Sequence, residues 1–584
     1  MRWQSALDHA CGCSRHWWIS GISGHFRYRQ LDPASTIGIW RYLEKISSPR
    51  LWKDSKRFSS QYRYNEGVFD APATATLKSG VVIGTRKTFP GAETAVKEFL
   101  GIPFAAPPLG ALRFALPSPP APWSTPRNVT AWPNACIQQG NTDVLLAPES
   151  EDCGRAVMVW IHGGGFKSGS ASMTRHDGTS FAAHQDVVVV SLNYRLGPFG
   201  FPISPAVPVK EQNVGLYDQR FALQWVQDNI ASFGGDPARV TIFGESSGAT
   251  SVSRLVGTMN DTSARPFRAA IQQSGVYESA WVMDPPGDVI GPGAWPLLVN
   301  GLQCTSSTTN RSTSISAEAS AAEFACVQAA PASGIRAIIN DPSSSLSFYP
   351  VDDDITQLAD PGRARAEGHI AKIPLLIGTN ANEGTMWTGS WTDLNSYVAA
   401  FPMLSPPRRR PQDDLPLGGQ GPNGELLADG WHVNAAIDTD MEYTCPASRV
   451  AQDAAFRLEL PVWRYFFNAT FPNTALREGL GVYHSSEIPI VFGSYFAVNA
   501  TAEEARLSGV MQTAWAEFAK DPYGAGPGWE AVGAGEAGQY PVVVFNVGTD
   551  PKGKGWVVVE NGTLDGACGV FEPIYGRRKG SPWW

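Results

Sequence analysis

The 584-residue sequence predicts an α/β protein built on a mostly parallel central sheet with helices on both faces. Three observations carry this. Short apolar runs alternate with helical patterns along the chain, the order that parallel βαβ units require. Two of the strand-like runs end in glycine-rich turns, "WIHGGGF" (160–166) and "TIFGESSGAT" (241–250). No apolar run approaches eighteen residues, so no membrane-spanning helix is expected.

Residues 1–70 stand apart from the rest. Residues 1–65 carry eleven Lys/Arg and four Asp/Glu, a net of +7, while the whole chain is at −8, which leaves −15 on the remainder. This stretch lacks periodicity and an apolar signal region, and reads as a poorly ordered basic leader of unassigned role. The overall negative charge argues against a nucleic-acid partner. The body, 71–584, opens near "ATATLKSGVVIGTRKTFPG". "AVMVWIHGGG" and "DVVVVSLNY" read as strands. "DQRFALQWVQDNIASFG" places Phe221, Ala222, Trp225, Val226, Ile230 and Phe233 on one helical face, with Gly234 after its end. "RVTIF" is a strand, "SGATSVSRLVG" the helix after it, and "IPLLIGTN" a further strand. Residues 401–424, with "PPRRRP" and "LGGQGPNG", read as a Pro/Gly-rich loop. Two matches to G-x-G-x-x-G, at 419–424 and 533–538, lack a strand before and a helix after, so no dinucleotide site is expected. No P-loop and no His/Cys metal spacing is present.

The chemistry begins at Ser246. A tight strand-to-helix turn needs Gly244 and Gly248 to let both elements approach, and it holds the serine in a strained conformation with its hydroxyl exposed. A serine hydroxyl needs a base, and attack on a carbonyl needs donors for the oxyanion. The backbone N–H groups of Gly164 and Gly165, with that of Ser247, are the natural donors. Beyond Ser246 the histidines are His369, His432 and His484. His484, before the apolar run "IPIVFG", has the setting of a base; His432, in "DGWHVNA", has none comparable. Glu383, after the strand "IPLLIG", would face the same sheet edge as the serine. Six N-x-S/T sequons occur, at Asn128, Asn260, Asn310, Asn468, Asn499 and Asn561, against about three expected by chance. Six body cysteines fit three disulfides in an oxidising compartment or buried free thiols; their number alone leaves both open.

At these blocks the chain resembles the type-B carboxylesterase/lipase family, which includes cholinesterases and fungal lipases. The resemblance runs over roughly 75–580, through "EFLGIPFAAPPLGALRF", "MVWIHGGGF", "VVVVSLNYRLGPFGF" and "ALQWVQDNIASFGGDPARVTIFGESSGA". It implies the α/β-hydrolase fold, a serine hydrolase of carboxylic esters that needs no cofactor, and the triad Ser246, Glu383 and His484. It places the oxyanion donors on Gly164, Gly165 and Ser247. Ser247 stands where the family usually has alanine, and only its N–H is needed. The resemblance also pairs Cys136 with Cys153, Cys304 with Cys326 and Cys445 with Cys568, and sets Glu245 and Glu487 beside the triad. The expected location is extracellular, and the partner is a small-molecule or lipid ester.

Two departures stand out. The leader has no family counterpart. After "EDC" the family continues with a strand resembling "LxLNVxxP" and a connector, whereas here "ESEDCGRAVMVW" passes straight to the next strand, so one strand is expected to be missing near 153–156. In the lipase branch the first disulfide loop is a long lid. Here only sixteen residues separate Cys136 from Cys153, with few apolar side chains, which points to dissolved short-to-medium esters. The alternatives are a triacylglycerol lipase, with the insertion at 280–298 forming an acyl tunnel, and a non-catalytic binding or adhesion member of the fold.

Overall fold

The structure, a computed structural model, describes residues 72–139 except 90, 91, 93 and 94, then 154–260, 265–277, 289–290, 293–305, 317–341, 346–388, 419, 427–535, 538–546 and 554–575. The basic leader, Cys153, the first residue of the 153–156 stretch where a strand is expected to be missing, the sequon at Asn310, nearly all of the 401–424 loop and much of 280–298 therefore lie outside the described residues.

The body starts with a small sheet. Strands β1 (Ala73–Leu77) and β2 (Gly80–Lys87) form an antiparallel hairpin, β3 (Val96–Glu98) pairs antiparallel with β2, and β4 (Arg127–Asn128) pairs parallel with it. In β1 the pattern buried–exposed–buried follows the two-residue period of a sheet with one face on the core. The main sheet has eight strands: β5 (Arg155–Ile161), β6 (Val188–Leu192), β7 (Gly235–Glu245), β8 (Ala269–Gln273), β9 (Leu375–Asn380), β10 (Val462–Phe467), β11 (Pro541–Phe545) and β12 (Trp556–Glu560). Their spatial order is β12-β11-β10-β9-β8-β7-β5-β6, and all neighbours are parallel except β12 against β11. This is the α/β-hydrolase architecture with a mostly parallel sheet.

Buried on both faces, the central strands read as unbroken apolar runs rather than alternating ones. All seven residues of β5 are buried, and Trp160 at its end packs against Phe243 and Phe492 with ring centroids 4.9 Å apart in each case. Helix α1 (Thr179–Gln185) precedes β6, and α2 (Val214–Asn229) connects it to β7. As the spacing predicts, α2 buries Ala222 and Val226. The helical rows end in a 3-10 turn, Ile230–Phe233, and Gly234 closes it at φ 83°, a conformation open to glycine. Arg195, just after β6, reaches α2 through two 2.7 Å hydrogen bonds to the carboxylate of Asp218, and both side chains are buried.

The Cys304–Cys326 and Cys445–Cys568 bridges form as expected, and fit an oxidising compartment. The expected Cys136–Cys153 bridge is not formed. Cys136 is a free thiol whose burial pushes its pKa up to about 12, the direction of an unreactive, neutral sulfhydryl. Among the sequons, Asn128, Asn260 and Asn499 are exposed and Asn468 is half-buried. Asn561 is buried, with its Oδ1 accepting the Tyr540 N–H at 3.0 Å. Among the described residues no helix is long and apolar enough to cross a membrane.

Candidate active site

The strand order reverses at β5, which has β6 on one side and β7 on the other. Connections after these strands leave in opposite directions and open a crevice at their C-terminal ends. Both glycine-rich turns fall there. Strand β7 ends at Glu245, helix α3 (Ser247–Thr258) begins two residues later, and Ser246 alone makes the turn, at φ 56° and ψ −128°. That is a strained conformation for a residue with a side chain, held by the packing around it. The Ser246 N–H donates to Gln273 O at 3.0 Å, and its carbonyl accepts from Thr250 N at 2.9 Å. Glycine is required on both sides: a Cβ on Gly248 would collide with the Ile161 carbonyl, and one on Gly244 would sit 2.6 Å from it.

The second turn, after β5, places Gly164 at φ 111° and Gly165 at φ 62°. A Cβ at the preceding Gly163 would lie 2.9 Å from Ser246 Cβ, so the two turns touch. The Gly164, Gly165 and Ser247 N–H groups, the three expected oxyanion donors, donate to no acceptor among the described residues. Ser247 is the first residue of α3, whose N-terminus favours negative charge. The Ser247 side chain has a role that alanine would lack: its Oγ accepts the Phe166 N–H at 3.3 Å and ties the glycine turn to the elbow.

Glu383 and His484 come together from distant parts of the chain. Glu383 follows β9, is fully buried, and accepts the Asn380 N–H on Oε1 at 2.7 Å. Its Oε2 lies 2.6 Å from His484 Nδ1. The other ring nitrogen, Nε2, sits 3.1 Å from Glu245 Oε1, without the alignment of a hydrogen bond. No hydrogen bond joins Ser246 Oγ to the imidazole in this structure. The strained turn and the acid–imidazole pair are thus both present, without a hydrogen bond between them. Catalytic hydrogen bonds are often unmade in ligand-free enzymes.

The electrostatics follow from three carboxylates around one ring. Burial draws the His484 pKa down, but Glu245, then Glu383 with its hydrogen bond, and Glu487 outweigh it and hold the pKa at about 9. Glu487 is fully buried and is hydrogen-bonded by Asn380 Nδ2 at 2.7 Å and Gln273 Nε2 at 3.1 Å. Burial, Glu245 and Glu383 raise its pKa to about 7. Ser485 donates to Glu245 Oε1 and orients that carboxylate. Two aromatic rings flank the imidazole, Tyr443 at 5.0 Å and the half-exposed Trp387 at 5.4 Å, with Trp387 Nε1 donating to Tyr443 OH at 3.0 Å.

The other histidines after Ser246 lie elsewhere. His432 sits at the start of a helix, 2.7 Å from the Asp429 carboxylate, and His369 is exposed beside Glu367. Sequence reasoning did not find Gln273, Asn380, Trp387, Tyr443 or Ser485. Gln273 and Tyr443 reach the site by tertiary packing alone, whereas Asn380 and Trp387 lie only three and four residues from Glu383. Ser485 had a signal, its position directly after His484.

A family model described as the carboxylesterase family matches residues 71–401 and 431–551. The chain belongs to the carboxylesterase family. It is 33% identical over 473 residues to the para-nitrobenzyl esterase of Bacillus subtilis (strain 168), covering 76% of this chain and 89% of that protein. It is 34% identical to carboxylesterase 5A of Felis catus over 79% of this chain and 89% of the relative. The cholinesterase of Mus musculus is 33% identical over 76% of this chain and 78% of its own length. Membership of the carboxylesterase family makes the chain an ester hydrolase, with an ester as its substrate.

Proposed function

We propose that the protein is a serine hydrolase of short-to-medium-chain carboxylic esters that works through an acyl-enzyme. The observation that carries this reading is Ser246, alone in a strained turn at the N-terminus of α3 beside three unengaged backbone N–H groups. Ser246 Oγ attacks the ester carbonyl. Neutral His484 takes the hydroxyl proton at Nε2 and passes it to the departing alcohol. Glu383 fixes the ring through Nδ1 and stabilises the imidazolium. The Gly164, Gly165 and Ser247 amides hold the oxyanion. A water deprotonated by His484 then releases the acid and restores Ser246.

Before His484 can serve, Nε2, now 3.1 Å from Glu245 Oε1 and without a hydrogen bond, has to engage the Ser246 hydroxyl. Glu245 and Glu487 are positioning residues that set the charge around the ring. Short dissolved esters follow from the sixteen residues between Cys136 and Cys153, too few for a long amphipathic cover. The two disulfides and the exposed sequons support an extracellular location.

The test is a fluorophosphonate probe, followed by rates on p-nitrophenyl butyrate and emulsified triolein across the aggregation threshold. Labelling at Ser246 with preference for the dissolved butyrate is expected. A protein left unlabelled would have to be a binding member of the fold, and a sharp rise in rate at the lipid interface would make it a lipase.

A further inference from the structure

The turn that carries the proposed oxyanion donors passes through three successive residues at positive φ: Gly164 at 111°, Gly165 at 62° and Phe166 at 57°. Glycine adopts such angles freely and phenylalanine does not, so Phe166 has to be held there by its surroundings. Nothing clamps the turn at Gly165 itself. Among the described residues no atom lies within 4 Å of where a Cβ on it would stand. Phe166, the next residue, is gripped at several points. Its N–H donates to Ser247 Oγ at 3.3 Å, its carbonyl accepts the Gly197 N–H at 2.8 Å, and its ring meets Phe201 edge-on with centroids 5.4 Å apart. A further contact comes from a charged side chain. The guanidinium carbon of Arg254 lies over the same ring, 5.2 Å from its centre, and 4.6 Å from the centre of the Tyr277 ring.

Ser247 and Arg254 stand seven residues apart on α3, two turns along one face. One face of the helix therefore reaches both the backbone and the ring of Phe166. An aliphatic side chain at 254 would fill the space without the cost of burying a charge. Arg254 is buried, yet it has no ion pair among the described residues. Its Nε donates to the neutral Gln357 Oε1 at 2.8 Å, and its Nη1 has no partner. Burial lowers its pKa, and Asp352 offsets only part of that. What a guanidinium offers here and an aliphatic chain does not is a flat cation attracted to the faces of two rings at once. Tyr277, the far ring, is itself fixed. Its N–H donates to Ser253 Oγ at 3.1 Å and its hydroxyl to Leu358 O at 2.6 Å. Phe166 is thus stacked, through Arg254, onto a tyrosine that is tied at both ends.

We propose that Arg254 is a positioning residue that holds Phe166, and through it the Gly164 and Gly165 N–H groups, in place for the oxyanion. The inference rests on the reading of Ser246 and the three amides given above. Arg254 acts through Phe166, so its removal should affect the charge that develops during attack and leave ground-state binding nearly untouched.

The test uses the full-length protein, with kcat and KM on p-nitrophenyl butyrate and the inhibition constant of a trifluoromethyl ketone, whose serine adduct carries the oxyanion. Arg254→Met keeps the unbranched shape and removes the flat cation. It should lower kcat about tenfold, weaken the ketone by about the same factor, and leave KM within about twofold. Ser247→Ala should also lower kcat, and the double variant should lose less than the product of the two losses, because both act on Phe166. An unchanged kcat in Arg254→Met, a loss confined to KM, or losses that multiply in the double variant would each overturn the proposal. If Arg254→Met does not fold, Arg254→Lys decides: it keeps the charge without the plane and should lose about threefold in kcat at unchanged KM, and a wild-type kcat would overturn the proposal. Turnover that is the same in wild type and Ser246→Ala would sink the catalytic reading and this inference with it. Turnover that needs Ser246 but not Arg254 would sink this inference alone.

Discussion

Replacing Glu245 by glutamine removes one charge next to His484 and keeps the acceptor for Ser485 and the side-chain volume. His484, held at about 9 by the surrounding carboxylates, is the base in the proposed reaction and works only when neutral. At pH 7 a group with that pKa is neutral in about 1% of molecules. Activity should therefore climb as pH rises and level off only near 9, and fall as pH drops. With opposite charges 3.1 Å apart, an effective dielectric constant of about 20 gives roughly 5 kcal/mol of attraction, or up to about 4 pH units. The observed shift will be smaller. Glu487, whose own pKa is raised partly by Glu245, ionises more readily once that charge is gone and restores some of the field. We expect the midpoint of the acid limb of kcat/KM to fall by about 2 units in Glu245→Gln, with a rise on the order of tenfold or more at pH 7. The assay is p-nitrophenyl butyrate hydrolysis from pH 5 to 10 for both proteins, with buffer-only rates subtracted. Superimposable limbs would refute the reasoning, and so would a wild-type midpoint near the ordinary histidine value.

The other predictions address the remaining parts of the molecule. Ser246→Ala should lose at least on the order of a thousandfold in kcat with unchanged circular dichroism, since only binding and oxyanion stabilisation remain; near-native turnover would dismiss this serine. Gly164→Ala forces a side chain onto the Ser168 carbonyl at φ 111° and should cost about a hundredfold in kcat, with KM much less affected; a normal kcat would remove Gly164 from the oxyanion site. The Cys445–Cys568 bridge closes 123 residues, and its loss in the double alanine variant should destabilise the protein by up to about 5 kcal/mol, read as a lower melting temperature. Secreted from a glycosylating host, the protein should carry glycans on exposed Asn128, Asn260 or Asn499 and none on Asn561, because a glycan there would break its bond to Tyr540; peptide mapping decides this.

The sequence exposed the parts of this site that are local. Strand–glycine–helix grammar was enough to locate Ser246 and the glycines at 163–165, because a tight turn leaves its requirement in the residue types. It also marked the apolar face of α2. It was weaker where geometry comes from packing. That Glu383 and His484, 101 residues apart, meet at 2.6 Å was expected by spacing only as one possibility, and more firmly by family resemblance. It did not show that Nε2 faces Glu245, since that depends on how the ring packs between distant segments. The helical stretch from Gly430 to Arg457 was also missed. Two of its five-residue segments, Asp440–Thr444 and Asp453–Arg457, are π-helical, and their wider turns break the 3.6-residue rhythm.

The near-contact of backbone at Gly248, Ile161 and Gly163 has a mechanical meaning. In the proposed reaction strand β5 carries the oxyanion turn and strand β7 the nucleophile, and at the crevice there is no side chain between them to act as a compressible spacer. A displacement of one is passed to the other through peptide groups, as between two bolted plates. Thermal motion of the surrounding loops can then change how substrate reaches the serine without altering the distance between the attacking oxygen and the amides that receive the charge. A residue larger than glycine at these contacts would push both turns at once, and in the proposed reaction it would disturb attack and charge stabilisation together.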